Sequence, residues 1–390
     1  MIAAPGRGPH PIGRSGAALV GAVAMMLLGL VPPERAWQAI SGDTIALLLG
    51  MMILSVHLDD DGVYAGLTRW LAGRARSGRQ LLVWISVASA GLSAFLVNDT
   101  VCLVFTPVVV QLCRASGLPM TPFLLALATN ANIGSAATLV GNPQNMLVGT
   151  MSGIPFAEFA SRSGLAAVVG VALNTALLLG IYGRRVAADL PAPSPTPTAP
   201  IRLRSAAVFS GVALAFFAGA HLGLTALAGA ALVTLLARSD LGRALERVDW
   251  ALLVFFAGLF ILVEGLRATG LVSAAFAAVA PAFALDSASG VAAFVATLVA
   301  GSNVVSNVPM VVLAGPEVAA FGGDPTTAWL VVAFASTVAG NLTLVGSVAN
   351  LIVAEGAREH HVLAFWEYTR FGALSTLVVL LVGVPLLFAF

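Results

Sequence analysis

Apolar residues dominate the chain in long stretches joined by short polar segments. The stretches lie at about 16–31, 43–58, 80–97, 100–113, 121–150, 163–183, 205–221, 223–237, 250–266, 271–285, 289–305, 308–321, 326–354 and 366–390. A helix needs about 20 such residues to cross the hydrocarbon core of a bilayer. Membrane β-barrels read instead as short alternating strands, so these spans are helices. Several stretches are too short for a crossing. Where two short ones meet at a polar tip, the pattern predicts a re-entrant hairpin, tolerated at membrane depth only where it is buried in protein or lines a cavity. The expectation is an all-α polytopic membrane protein with roughly ten to eleven transmembrane helices.

The polar interruptions repeat. Val97-Asn98-Asp99-Thr100 in the first half corresponds to Ser306-Asn307-Val308-Pro309 in the second, and the two asparagines are 209 residues apart. Thr138-Leu-Val-Gly-Asn-Pro-Gln-Asn145 corresponds to Thr343-Leu-Val-Gly-Ser-Val-Ala-Asn350, 205 residues on. Proline at Pro143 removes a backbone donor and clashes one turn back, so Gly141-Asn142-Pro143 predicts a broken helix. Gly346-Ser347 is its looser equivalent. The proline-rich run within 184–204 divides the copies as an extended linker. The predicted organisation is a first repeat at 1–183 (hairpin tip 97–100, broken helix 138–145), the linker at 184–204, and a second repeat at 205–390 (tip 306–309, broken helix 343–350).

The arginines orient the copies. Cytoplasmic loops carry the basic excess. The loop at 59–79 holds Arg69, Arg74, Arg76 and Arg79, whereas its counterpart at 267–288 holds only Arg267. The loop at 32–42 has only Arg35, against Arg238, Arg243 and Arg247 at 238–249. The loop at 151–162 has only Arg162, against Arg358 and Arg370 at 355–370. Each comparison places the two copies on opposite sides. This predicts an inverted-topology repeat, an architecture used by secondary transporters with the site near the midplane. The N-terminus is then cytoplasmic, with Arg7 and Arg14 flanking a retained first helix, and the C-terminus is outside a bacterial-type inner (plasma) membrane.

Composition narrows the class further. Of 390 residues, 59% are hydrophobic and 9% charged, with a mean hydropathy of +0.97. Soluble domains carry about 25% charged residues, so lipid is the expected surroundings. A net charge of +1 suggests no nucleic-acid partner. Cys102 and Cys113 are too few for a disulfide framework. No HExxH, no GxSxG and no His/Cys cluster points to an intramembrane enzyme, and no cofactor is expected.

Candidate chemistry gathers at the interruptions. A descending half-helix begins at each tip, and its N-terminus favours anions. The substrate-binding candidates are Asn98, Asp99, Thr100, Asn142, Asn145, Ser306, Asn307, Ser347 and Asn350. Asn98, Asp99, Gly141, Ser306, Asn307 and Gly346 are candidate ligands for Na+ as a coupling ion. Asn130, Asn132, Ser302, Asn303 and Asn341 flank the same regions. Asp99 is the only acid between Arg79 and Glu158. A carboxylate inside a membrane marks a functional site, and Asp99 is the candidate proton carrier. No arginine is expected in this core. A bound anion would then rely on helix ends, amides, hydroxyls and a co-bound cation.

At these residues the chain resembles the ion transporter superfamily, the citrate-transporter-like permeases that include arsenite permeases, NhaD-type sodium/proton antiporters and divalent anion/sodium symporters. The matching segments are VNDTVCLVFTPVV, NANIGSAATLVGNPQNMLVG, SNVVSNVPMVVL and AGNLTLVGSVANLIVAE. The resemblance implies a scaffold part, often dimeric, that holds a mobile part with two hairpins and two broken helices moving like an elevator. It matches Asn98 and Asn307 to tip asparagines and Ser306 to the tip serine of the dicarboxylate symporters. Val97, Asp99 and Val308 replace the Ser or Thr of those tips, and Asn98-Asp99 followed by Thr106-Pro107 is closer to the arsenite and NhaD-like branch. The resulting expectation is a secondary transporter of a small anion or oxyacid (an inorganic anion, arsenite-like, or a carboxylate), coupled to H+ or Na+. The alternative is an NhaD-type Na+/H+ antiporter.

Overall fold

A computed structural model describes residues 13–190, 200–238, 240–321 and 323–389. Most of the proline-rich linker, at 191–199, lies outside the described residues, as does Arg7. The first half folds as α1 (Arg14–Leu27), α2 (Pro33–Ala39), α3 (Gly42–Asp60), α4 (Val63–Arg74), α5 (Gly78–Ser93), α6 (Asn98–Ser116), α7 (Met120–Ser135), α8 (Pro143–Ser152) and α9 (Phe156–Tyr182). Next comes α10 (Arg204–Phe217). The second half follows as α11 (Leu222–Ala237), α12 (Leu241–Glu246), α13 (Trp250–Ala268), α14 (Leu271–Val279), α15 (Ala288–Val305), α16 (Asn307–Ala314), α17 (Pro325–Ala339), α18 (Val348–Ala357) and α19 (Phe365–Leu386). Among the described residues, α3, α6, α9, α13, α15 and α19 are long and apolar enough to cross a membrane. The protein is an all-α polytopic membrane protein.

Local chemistry sets the helix ends. Ser41 caps α3 by accepting the Thr44 N–H at 3.3 Å, and Asp249 caps α13 by accepting the Leu252 N–H at 2.9 Å. Such caps satisfy amides that the helix itself leaves without partners. Gly117 ends α6 at φ 62, a left-handed conformation that glycine adopts without a Cβ penalty.

The two halves make matching contacts. Helix α3 packs on α11, and α1 packs on α13. In the first pair a Cβ added to Gly50 would lie 2.7 Å from the Ala226 carbonyl oxygen; in the second, one added to Gly258 would lie 2.8 Å from that of Ala18. Gly258 follows Gly50 by 208 residues, and Ala226 follows Ala18 by the same interval. Small residues let these backbones approach, because helix association in lipid relies on close packing. Likewise α5 packs on α7 and α15 on α17, while α9 packs on α19. Residues Thr121–Ser135 of α7 are all buried. A helix enclosed on every side belongs at the centre, where α7 meets α5, α6, α9, α17 and α18.

Candidate functional site

Each predicted hairpin tip is a short break between two helices. Helix α5 ends at Ser93, and α6 starts afresh at Asn98, whose N–H donates to the Gly141 carbonyl at 3.0 Å. The first tip is thereby tied to the first broken-helix loop. The second tip is the single residue Ser306, between α15 and α16, at φ 82 and ψ 158. A non-glycine residue in this region costs about 1–3 kcal/mol and persists only where its surroundings impose it.

The tips converge. Asn98, Asp99, Ser306 and Asn307 line one cavity of about 160 Å³, together with Gln144 and Ser347 of the two broken helices. Asn98 and Asn307 are 3% and 6% exposed. Each has a buried side-chain oxygen, Oδ1, with no hydrogen-bond partner among the described residues. Buried polar groups normally have partners, so two such acceptors at one cavity call for a ligand that donates hydrogen bonds or carries positive charge.

A relay of amides fixes the orientation of Asn98. Asn350 Nδ2 donates to the Gly340 and Thr343 carbonyls, at 2.7 and 3.1 Å. Backbone carbonyls only accept, so Asn350 must present its own oxygen to Asn132 Nδ2, at 3.0 Å. Asn132 Nδ2 also donates to Asn341 Oδ1 at 2.8 Å. Asn132 Oδ1 then accepts from Asn98 Nδ2 at 2.8 Å and from Ser347 Oγ at 3.1 Å. With its nitrogen committed, Asn98 keeps its oxygen free.

The first broken helix repeats this construction. Asn145 Nδ2 donates to the Ser135 and Thr138 carbonyls, at 3.2 and 2.9 Å, and these lie 205 residues before the carbonyls that Asn350 uses. Asn145 Oδ1 accepts from Thr337 Oγ1 at 3.3 Å, and Asn142 Nδ2 lies 3.4 Å from the same hydroxyl. Thr337 thus holds the place in one half that Asn132 holds in the other. Gly141 is confined in this loop, where an added Cβ would collide with the Ser135 and Ser93 carbonyl oxygens.

Of the substrate-binding candidates, the cavity brings together Asn98, Asp99, Ser306, Asn307 and Ser347. Asn142, Asn145 and Asn350 are buried in the networks that hold the broken helices. Thr100, Gly141 and Gly346 are not among the lining residues. The expectation that no arginine enters the core is corrected: Arg14, in the first turn of α1, lines the cavity, and so does Asp249. Arg14 stands directly before an apolar run and Asp249 directly before another, positions where charges ordinarily flank a span. Their sequence surroundings therefore assign them to the interface.

The chain matches a family model described as citrate transporter over residues 2–339. It is 34% identical to the silicon efflux transporter LSI3 of Oryza sativa subsp. japonica, over 97% of this chain and 93% of that one. It is 30% identical to a transporter of Dictyostelium discoideum named arsB, over 96% of this chain and 87% of that one. Among solved structures it resembles the Alcanivorax borkumensis YdaH transporter, described as having an unusual topology. That match has a TM-score of 0.58 at 15% identity and covers 94% of this chain and 87% of the other. At this identity the likeness concerns the fold alone.

Proposed function

The chain belongs to the citrate transporter family, and on that premise we propose that it is a secondary active transporter of a small oxyacid or anion, coupled to H+ or Na+ through elevator-type alternating access. The observation that carries this reading is the pair of unpartnered oxygens, Asn98 Oδ1 and Asn307 Oδ1, on two tips that line one cavity. Acceptors of this kind suit the O–H groups of a protonated oxyacid such as arsenous or silicic acid. They also suit Na+, for which the free tip oxygens are the ligands this chain offers. A fully ionised carboxylate brings only further acceptors to those two atoms.

The matching contacts of the two halves support an inverted repeat. Helix α10 has no counterpart among the described residues of the first half. As one added crossing it turns the second half over relative to the first. The arginine distribution then favours a cytoplasmic N-terminus and an external C-terminus in an inner or plasma membrane. Helices α1, α3, α11 and α13 form one packed set suited to a scaffold, while the hairpins and broken helices pack mainly among themselves.

A second reading, cation/proton antiport, draws on the cavity's charges. Asp99 and Asp249 face a single Arg14, a balance that suits a cation. Uptake in proteoliposomes separates the two. The panel is arsenous acid, silicic acid, citrate, succinate and Na+, with the pH and sodium gradients set independently. Oxyacid uptake driven by either gradient supports the first reading. Sodium movement against protons with no oxyacid uptake replaces it with the second.

A further inference from the structure

We infer that Arg14 is the counter-ion of Asp99 in the form described here, and that this pairing ties the charge of Asp99 to the position of the first hairpin. The inference rests on the proposed alternating-access transport.

Among the described residues, Arg14 is the only basic one lining the cavity. Its Nη2 lies 3.5 Å from the Val345 carbonyl in the second broken-helix loop, which holds the guanidinium over the cavity. Of the two carboxylates present, Asp249 is already engaged, with one oxygen capping α13. Asp99 makes no direct hydrogen bond or ion pair among the described residues, so Arg14 acts on it across the cavity. Charges separated by little water interact far more strongly than in bulk solvent. The titratable groups facing Asp99 are Arg14, Asp249 and the Cys102 thiol.

The two charges sit on different bodies. Arg14 belongs to α1, which packs on α13; Asp99 belongs to the α5–α6 hairpin, which packs on α7 and α18. At the boundary between those bodies the halves do not match. Helix α3 meets the broken helix α8, whereas α13 meets the hairpin helix α16. Exchanging these contacts between the halves brings α3 against α6. The α13 residues lining the cavity, Ala251, Leu252 and Phe255, correspond 208 residues earlier to Asp43, Thr44 and Leu47. Arg14 corresponds to Leu222, and Asp99 to Val308, so the charge pair has no copy in the other half. In the exchanged form Asp99 faces Asp43, a threonine and a leucine in place of Arg14, and the basic group beside them, His221, lies 3.5 Å from Asp43. An unpaired buried carboxylate is strongly disfavoured. Asp99 therefore takes one proton from water as the hairpin leaves Arg14 and gives it back to water on the same side on return, so the pairing sets the pH at which the hairpin can move and transfers no net proton of its own.

The test is the pH profile of arsenous and silicic acid uptake in proteoliposomes for wild type, R14Q, R14M, R14K, D99N and R14Q/D99N. Removing the positive charge in R14Q or R14M is expected to move the midpoint to higher pH by about one unit, the lower end of what a nearby opposite charge produces. R14K is expected to keep the wild-type midpoint. D99N is expected to flatten the profile, and the double variant to match D99N. A uniform drop in rate with an unmoved midpoint in both R14Q and R14M would reduce Arg14 to a packing role and overturn the inference. A shift by R14Q that persists on the D99N background would overturn it as well. A wild-type profile in D99N would instead remove Asp99 as the titrating group, and the inference with it.

Discussion

Asn132 accepts a hydrogen bond from Asn98 at 2.8 Å while donating to Asn341 and Asn350. One side chain of the central helix α7 thus couples the first hairpin tip to the second broken helix. Every atom of that carboxamide able to bond is in use. The tip oxygen at the cavity takes its direction from backbone carbonyls at Gly340 and Thr343, two amides away.

Asn132→Ala removes the middle of this relay. It leaves Asn98 Nδ2 and the Asn341 and Asn350 oxygens buried with fewer partners, at about 1–3 kcal/mol for each group left unsatisfied. Uptake is expected to fall at least about tenfold, with a clear loss of thermal stability in detergent. Wild-type values for both quantities would show that the relay does not position the tip.

Asn98→Ala and Asn307→Ala delete the two free oxygens without breaking a helix. Each is expected to abolish uptake while leaving expression and elution behaviour intact. Retained uptake in both variants would remove the tips from the substrate site.

Gly141→Ala places a methyl against two backbone oxygens that cannot retreat without disturbing α5 or α7. A loss above about 3 kcal/mol is expected, in the range reached by overpacking and strain together. Gly164→Ala is the control, since an added Cβ there meets nothing closer than 3.9 Å. Melting curves of the purified variants make the comparison, and equal curves would contradict the confinement of Gly141.

Asp61, just beyond α3, is 1% exposed in its side chain and pairs with Arg204 at 2.9 Å. Burial pushes its carboxyl upward, but hydrogen bonds from Arg204 and Ser205 outweigh this, so it sits below the ordinary carboxylate value. A depressed value in the folded state gives stability that is present above the unfolded value of about 4 and is lost as pH falls through the folded one. Wild type should therefore lose melting temperature steeply below about pH 4. Asp61→Asn should be less stable at pH 7 and show a shallower acid decline, and parallel pH curves would deny Asp61 this role.

The sequence by itself determined the class of the protein, the recurrence of its polar motifs at near-equal intervals, and the places where its helices break. These are properties of neighbouring residues. An apolar run long enough to span a bilayer, a proline inside it, or asparagines recurring at a fixed interval can be read without knowing what lies opposite. The tertiary structure decided how the residues marked in this way divide their work. Asn98 and Asn307 reach the cavity, whereas Asn145 and Asn350 carry no free group and serve to hold the loops. It also decided that Arg14 and Asp249, which read locally as the flanks of two spans, share a cavity with Asp99. The physical reason is that a side chain's electrostatic and hydrogen-bonding neighbours across a bundle follow from which helix faces pack together. That packing brings α1, α6 and α13 to one point although their residues lie far apart along the chain.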